Sequence, residues 1–106
     1  MRVLDREREV SMAVYFILDI KVEDPTTFEE YRKLADPTLE RYGGKFLAHG
    51  GATETIEGDW QPQRLVILEF DDTEHFRRWY DSPEYSAARE IRWRASSERA
   101  VLIQGV

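Results

Sequence analysis

The 106-residue chain contains no cysteine. That absence removes disulfides, thiolate zinc sites, iron–sulfur clusters and cysteine nucleophiles from consideration. Nor does it contain a run near the ~18 apolar residues that a membrane-spanning helix requires. Its opening stretch, Met1 to Glu9, carries Arg2, Asp5, Arg6, Glu7 and Arg8 and lacks the apolar core of a signal peptide. The expectation is a cytoplasmic protein with no membrane partner. Basic residues are the minority, 15 Lys and Arg against 21 Asp and Glu, for a net charge of -6. Nucleic acid is a poor partner for such a balance, because binding draws on phosphate neutralisation by Lys and Arg. The only histidines are His49 and His75. Their spacing makes no metal site, and neither Gly43-Gly44 nor Gly50-Gly51 forms a phosphate loop, so no metal or cofactor is expected.

What is present is ordinary globular composition, 42% hydrophobic and 34% charged, in a length that suits one domain. Residues 1–11 read as an N-terminal extension and residues 12–106 as a single domain. From Ala13 to Val22 apolar residues alternate: Val14, Phe16, Leu18, Ile20 and Val22 share one face, and Tyr15, Ile17, Asp19 and Lys21 the other, which predicts a strand. Asp24-Pro25 is a helix start. Phe28, Tyr31, Ala35, Leu39 and Tyr42 recur at helical spacing until Gly43-Gly44, giving a helix over 25–42 with a kink or a fresh, Asp36-capped turn at Pro37. Lys45 to Gly50 reads as a second strand continuing through Thr53 to Glu57 beyond a glycine bend. A loop over 58–63 and a third strand from Arg64 to Phe70 follow. A short helix carries Phe76, Trp79 and Tyr80, a second helical piece runs from about Glu84 to Ser97, and Arg99 to Val106 closes as strand four.

The order β-α-β-β-α-β is that of an α+β, ferredoxin-like domain with a four-stranded antiparallel sheet, strands one and three side by side. Helices then cover one face only. The other face keeps Tyr15, Ile17, Leu65, Ile67, Val101 and Ile103, too much apolar surface to leave in water. A homodimer through that sheet face, closing into a dimeric α+β barrel, is expected.

Short motifs in order carry a family resemblance. They are Asp24-Pro25 with Tyr31, Tyr42-Gly43-Gly44, His49-Gly50-Gly51, Glu57-Gly58-Asp59-Trp60 running to Arg64, Glu69-Phe70, Trp79 to Tyr85, and Arg92. Over about residues 13–106 the chain resembles domain-of-unknown-function family number 1330 of the dimeric α+β barrel superfamily. The resemblance implies the ferredoxin-like fold and the dimer, and implies no particular chemistry. The family pattern usually has arginine ahead of the second glycine pair, where this chain has His49. The wider superfamily includes cofactor-free monooxygenases, haem proteins and lactone isomerases, so membership does not choose a reaction.

Seven residues are candidates for chemistry. His49, at a strand end before two glycines, reads either as a general base near neutral pH or as a strand-end histidine bonded to a loop. Arg92 shares a helical stripe with Ala88, Ile91 and Ala95, so it is either one half of an internal ion pair or a clamp for an anion. Arg64 invites the same two readings. Tyr31, Trp79 and Tyr85 are core aromatics or the walls of a pocket, and Trp60 is either a lid over that pocket or a plug against a partner chain. Asp19 and Glu69 are the carboxylates inside otherwise apolar strands. With Ile17 opposite Ile67 they fall at opposite ends of the sheet, which argues against a proton-sharing dyad and for structural pairing. The resulting expectation is a small homodimer binding a small aromatic or carboxylate ligand between helices and sheet. The alternative is a cofactor-free monooxygenase- or isomerase-like enzyme acting on a small aromatic or carbonyl compound.

Overall fold

Alternating β-branched and aromatic residues make a central strand, and in the computed structural model, which describes residues 12–106, β1 spans Val14–Val22. The 1–11 extension lies outside the described residues. Helix α1 (Pro25–Arg41) starts where the Asp24 carboxylate accepts from the Thr27 amide at 3.2 Å and from its hydroxyl at 2.7 Å. These bonds satisfy a donor that the first turn leaves over. Strands β2 (Lys45–His49) and β3 (Leu65–Phe70) follow. Helix α2 (Thr73–Tyr80) is capped by Asp72, and α3 (Pro83–Ala95) by Ser82, before β4 (Ser96–Gln104).

The sheet order is β2-β3-β1-β4, every pair antiparallel. This is the α+β ferredoxin-like arrangement expected from the element order. The expected register also holds: Ile17 pairs with Ile67, Tyr15 with Glu69, and Asp19 with Leu65. All three helices lie over one face. Val14, Phe16, Leu18 and Ile20 of β1 and Val66, Leu68 and Phe70 of β3 are buried there with Phe28, Leu39, Phe76, Trp79 and Tyr85.

Four expectations are corrected. Thr53 to Glu57 forms no strand: β2 is an edge with a break in register between Phe46 and Ala48, and Gly50, at φ 75°, turns the chain off the sheet. Residues 51–60 are then exposed and have no ladder to join. Pro37 starts no new turn, because α1 runs through it. Pro37 has no N–H to donate to the Lys33 carbonyl, and Lys33 is exposed, so the unpaired oxygen is not shut away in the core. Helix α3 stops two residues short of Ser97, and β4 begins at Ser96 rather than Arg99. Ser96 does both jobs: its hydroxyl donates to the Arg92 carbonyl at 2.8 Å while its extended backbone pairs with Val22.

On the helix-free face Ile17, Leu65 and Ile67 are partly exposed, and Val101 and Ile103 are 61% and 54% exposed. Ile17 lies between Ile67 and Val101 in register, so these side chains form one contiguous apolar patch. Among the described residues no helix is long and apolar enough to cross a membrane.

Candidate functional site

The candidate residues sort into three places. Tyr31 on α1 and Tyr85 and Arg92 on α3 meet between the helices and the sheet. The two tyrosine oxygens are 3.0 Å apart, and the Arg92 guanidinium lies 5.9 Å from the centre of the Tyr31 ring. The helical stripe that predicted an inward Arg92 is realised, since its side chain is 2% exposed. Its partner is Glu98 on β4, whose Oε1 lies 3.3 Å from Nη1. That distance makes an ion pair, yet Nε and Nη1 of Arg92 find no aligned acceptor. Glu98 Oε1 accepts instead from the Ser96 hydroxyl at 3.1 Å. Burial opposes the Arg92 charge, but it is outweighed by Tyr85 and Tyr31, which act once they lose their protons at high pH, and by the Glu98 carboxylate, so the pKa lies above its ordinary value. Burial pushes the Tyr31 hydroxyl well above the usual tyrosine range, reinforced by Tyr85, and pushes Tyr85 upward too. Both therefore stay protonated, and both can donate.

Trp79 packs against this cluster. Its ring centre is 3.9 Å from that of Tyr85, and its Nε1 donates to the Thr38 hydroxyl at 3.0 Å. Thr38 in turn donates to the Ala35 carbonyl at 2.7 Å, so the indole is fixed by α1 as well as by the sheet.

His49 lies elsewhere, on the helix side of the β2 edge, and Arg64 stands between it and the Arg92 cluster, leading into the interior strand β3, with its carbonyl accepting from the Ile20 amide of β1 at 2.9 Å. His49 stacks on Phe46 with ring centres 4.0 Å apart at 9°, and the Arg64 guanidinium lies 5.8 Å from the Phe28 ring. Gly50 is needed where it stands because its φ of 75° is left-handed, and a Cβ there would also come within 2.9 Å of the flexible end of Arg64, at Nη1. Partial burial lowers the His49 pKa, with Arg64 and Arg32 adding to the fall and Asp36 opposing it, so the ring is neutral at pH 7. β2 and β4 are the two sheet edges, three strand spacings or ~14 Å apart. Base and buried guanidinium therefore occupy separate clusters. Among the described residues no group of three or more His, Asp or Glu gathers in metal-holding geometry.

Trp60 is on the third surface, the helix-free face, and sequence reasoning missed what holds it. The Asp19 carboxylate accepts from Trp60 Nε1 at 2.9 Å, from the Gln63 amide at 2.9 Å and from the Arg64 amide at 3.4 Å. One strand carboxylate thus ties down the loop after Gly50. Glu69, the other strand carboxylate, pairs with Lys45 at 3.4 Å. The lone acid in an apolar strand was the signal, but a partner 41 residues away has no period to reveal it.

Slight burial would raise the Asp19 pKa, but the bonds from Trp60, Gln63 and Arg64, with the field of Arg99, bring it below its ordinary value. A lowered carboxylate pKa contributes stability that is present above the unfolded pKa and lost as pH falls through the folded one. The loop is therefore expected to stay latched through the ordinary carboxylate range and to release only below it. The Trp60 indole N–H resonance should shift at that acidic step. In Asp19→Asn the step should vanish, and the indole should occupy its shifted position already at pH 7.

Comparison with known proteins agrees on the architecture. The family described as Domain of unknown function (DUF1330) matches residues 13–106. Among curated proteins there is no match. A protein of unknown function from Rhodopseudomonas palustris superposes with a TM-score of 0.74 at 17% identity, covering 99% of this chain and 92% of that one. SnoaB, a cofactor-independent oxygenase from Streptomyces nogalater, gives 0.62 at 18% identity, covering 90% and 94%. A dimeric ferredoxin-like protein of unknown function from Thermobifida fusca gives 0.55 at 19%, covering 88% and 91%. Identities this low establish a shared fold and nothing of the chemistry.

Proposed function

The chain belongs to the DUF1330 family, and we propose that it works as a homodimer paired through the helix-free faces of its two sheets, each protomer binding a small carboxylate between helices and sheet. Arg92 anchors the carboxylate, Tyr31 and Tyr85 supply hydroxyl donors, and Trp79 is the apolar wall. Pairing is supported by the apolar patch around Ile17, Ile67 and Val101. The Thermobifida fusca relative being dimeric supports it further.

The ligand reading is carried by a surplus of donors. Arg92 Nε and Nη1 have no acceptor, and of two tyrosine hydroxyls 3.0 Å apart only one can donate to the other. Buried donors without acceptors cost ~1–3 kcal/mol each, so an acceptor-rich occupant is favoured over empty packing. Binding is favoured over catalysis because His49, the candidate base, is removed from the guanidinium and hydroxyls that would steady an oxyanion.

Thermal unfolding in acetate against chloride at equal ionic strength tests this. The native protein should show a saturable, acetate-specific rise in Tm. The double variant Arg92→Met, Glu98→Leu removes guanidinium and counter-charge together, so it keeps its fold and should lose that rise. An equal acetate effect in both proteins, or none in either, would contradict the ligand site.

A further inference from the structure

A cavity of about 410 Å3 opens at the end of the helix-free face, between β1, the first residues of β4 and the loop that carries Trp60. Lys21, four residues and ~13 Å along β1 from Ile17, marks its far end, while Asp19, Trp60 and Arg99 also border Ile17, Leu65 and Val101, so the cavity sits at the rim of the apolar patch. Its size falls within the ~300–1,000 Å3 of small-ligand sites.

Two carboxylates border the cavity, and both are already engaged. Asp19 accepts the Trp60, Gln63 and Arg64 donors, while Glu98 faces Arg92 and accepts from Ser96. Lys21 and Arg99 also line it, and among the described residues neither is within ion-pair distance of a carboxylate. Arg92, which lies outside the cavity, answers the charge of Glu98, so in the lining Lys21 and Arg99 face Asp19 alone, an excess of one positive charge. A monoanion balances it. The side chain of Trp60 adds shape: its N–H is committed to Asp19 at 2.9 Å, which fixes the ring, yet the residue stays 53% exposed. A ring anchored by its edge offers its face, and a flat aromatic body stacks there with its apolar area covered. Gln61 and Gln63, also in the lining, supply neutral donors and acceptors for polar substituents.

We propose that this cavity is a binding site for a small aromatic monocarboxylate, its carboxylate held between Lys21 and Arg99 and its ring on the Trp60 indole. The site is distinct from the gap that holds Arg92. Its latch makes a further claim: Asp19 positions the indole and does not touch the ligand.

Calorimetric titration of the full chain with benzoate, acetate and benzyl alcohol tests the site. Benzoate should bind saturably at millimolar or lower concentration and at least about ten-fold more tightly than acetate at this site, while benzyl alcohol gives no saturable heat. Lys21→Met and Arg99→Met should each weaken benzoate about ten-fold, and Trp60→Leu should reduce it to the level of acetate. Lys33→Met removes a cation from the exposed side of α1, away from both sites, and should leave benzoate binding unchanged. Benzoate binding that survives both Lys21→Met and Arg99→Met, or that falls as far in Lys33→Met, would overturn the proposal while leaving the gap site standing. So would equal affinity for acetate and benzoate.

Discussion

Ile67→Lys is expected to sediment as a single chain with an unchanged far-ultraviolet spectrum. Ile67 stands opposite Ile17 on the helix-free face and touches none of the buried core on the other side of the sheet. A two-fold interface presents every substitution twice, so one lysine per chain places two charges at the centre of the apolar contact. Burying an unpaired charge costs several kcal/mol, and each ~1.4 kcal/mol is a tenfold change in dissociation constant, so a loss of ~10⁴-fold or more in association is expected. Analytical ultracentrifugation with circular dichroism separates this outcome from unfolding. Val101→Asp, on the neighbouring strand and the same face, should behave alike.

Glu98→Leu should cost about 3–5 kcal/mol of folding free energy in urea denaturation at pH 7. Its carboxylate lies 3.3 Å from the guanidinium of Arg92, whose side chain is 2% exposed and cannot turn to water. Removing the acid leaves a buried cation among two tyrosine hydroxyls that also prefer to donate. The companion double variant, Arg92→Met with Glu98→Leu, should recover most of the loss, because matched apolar groups replace a buried pair at little net cost. If the single variant costs no more than the double, the pair is not the electrostatic unit described above.

The parts of the fold that repeat with a period could be read from residues alone. Alternation in β1 and β3 set which side chains share a face, and pairing Ile17 with Ile67 then placed Asp19 and Glu69 at opposite ends. Arg92 was found the same way, on a stripe with Ala88 and Ala95. What depends on a neighbour in space was not legible. Thr53 to Glu57 has strand composition, yet β2 is an edge with nothing beyond it to pair with, so the segment leaves the sheet. Ser96 looks like the end of a helix or the start of a strand and serves as both. The Asp19–Trp60 latch joins a strand to a loop whose path no local pattern sets. For the candidate site, residue types were legible and grouping was not: His49 looked like a companion of Arg92, and sheet order puts it at the other edge, with Arg64 between them against Phe28.

The central claim is that the helix-free face is covered by a second copy of the chain. Sedimentation equilibrium of the unmodified protein at micromolar concentration tests it most directly. A mass twice the 12.5 kDa of one chain, independent of loading concentration, is the predicted result. A single-chain mass across that range would leave Ile17, Ile67 and Val101 facing water and would contradict the account.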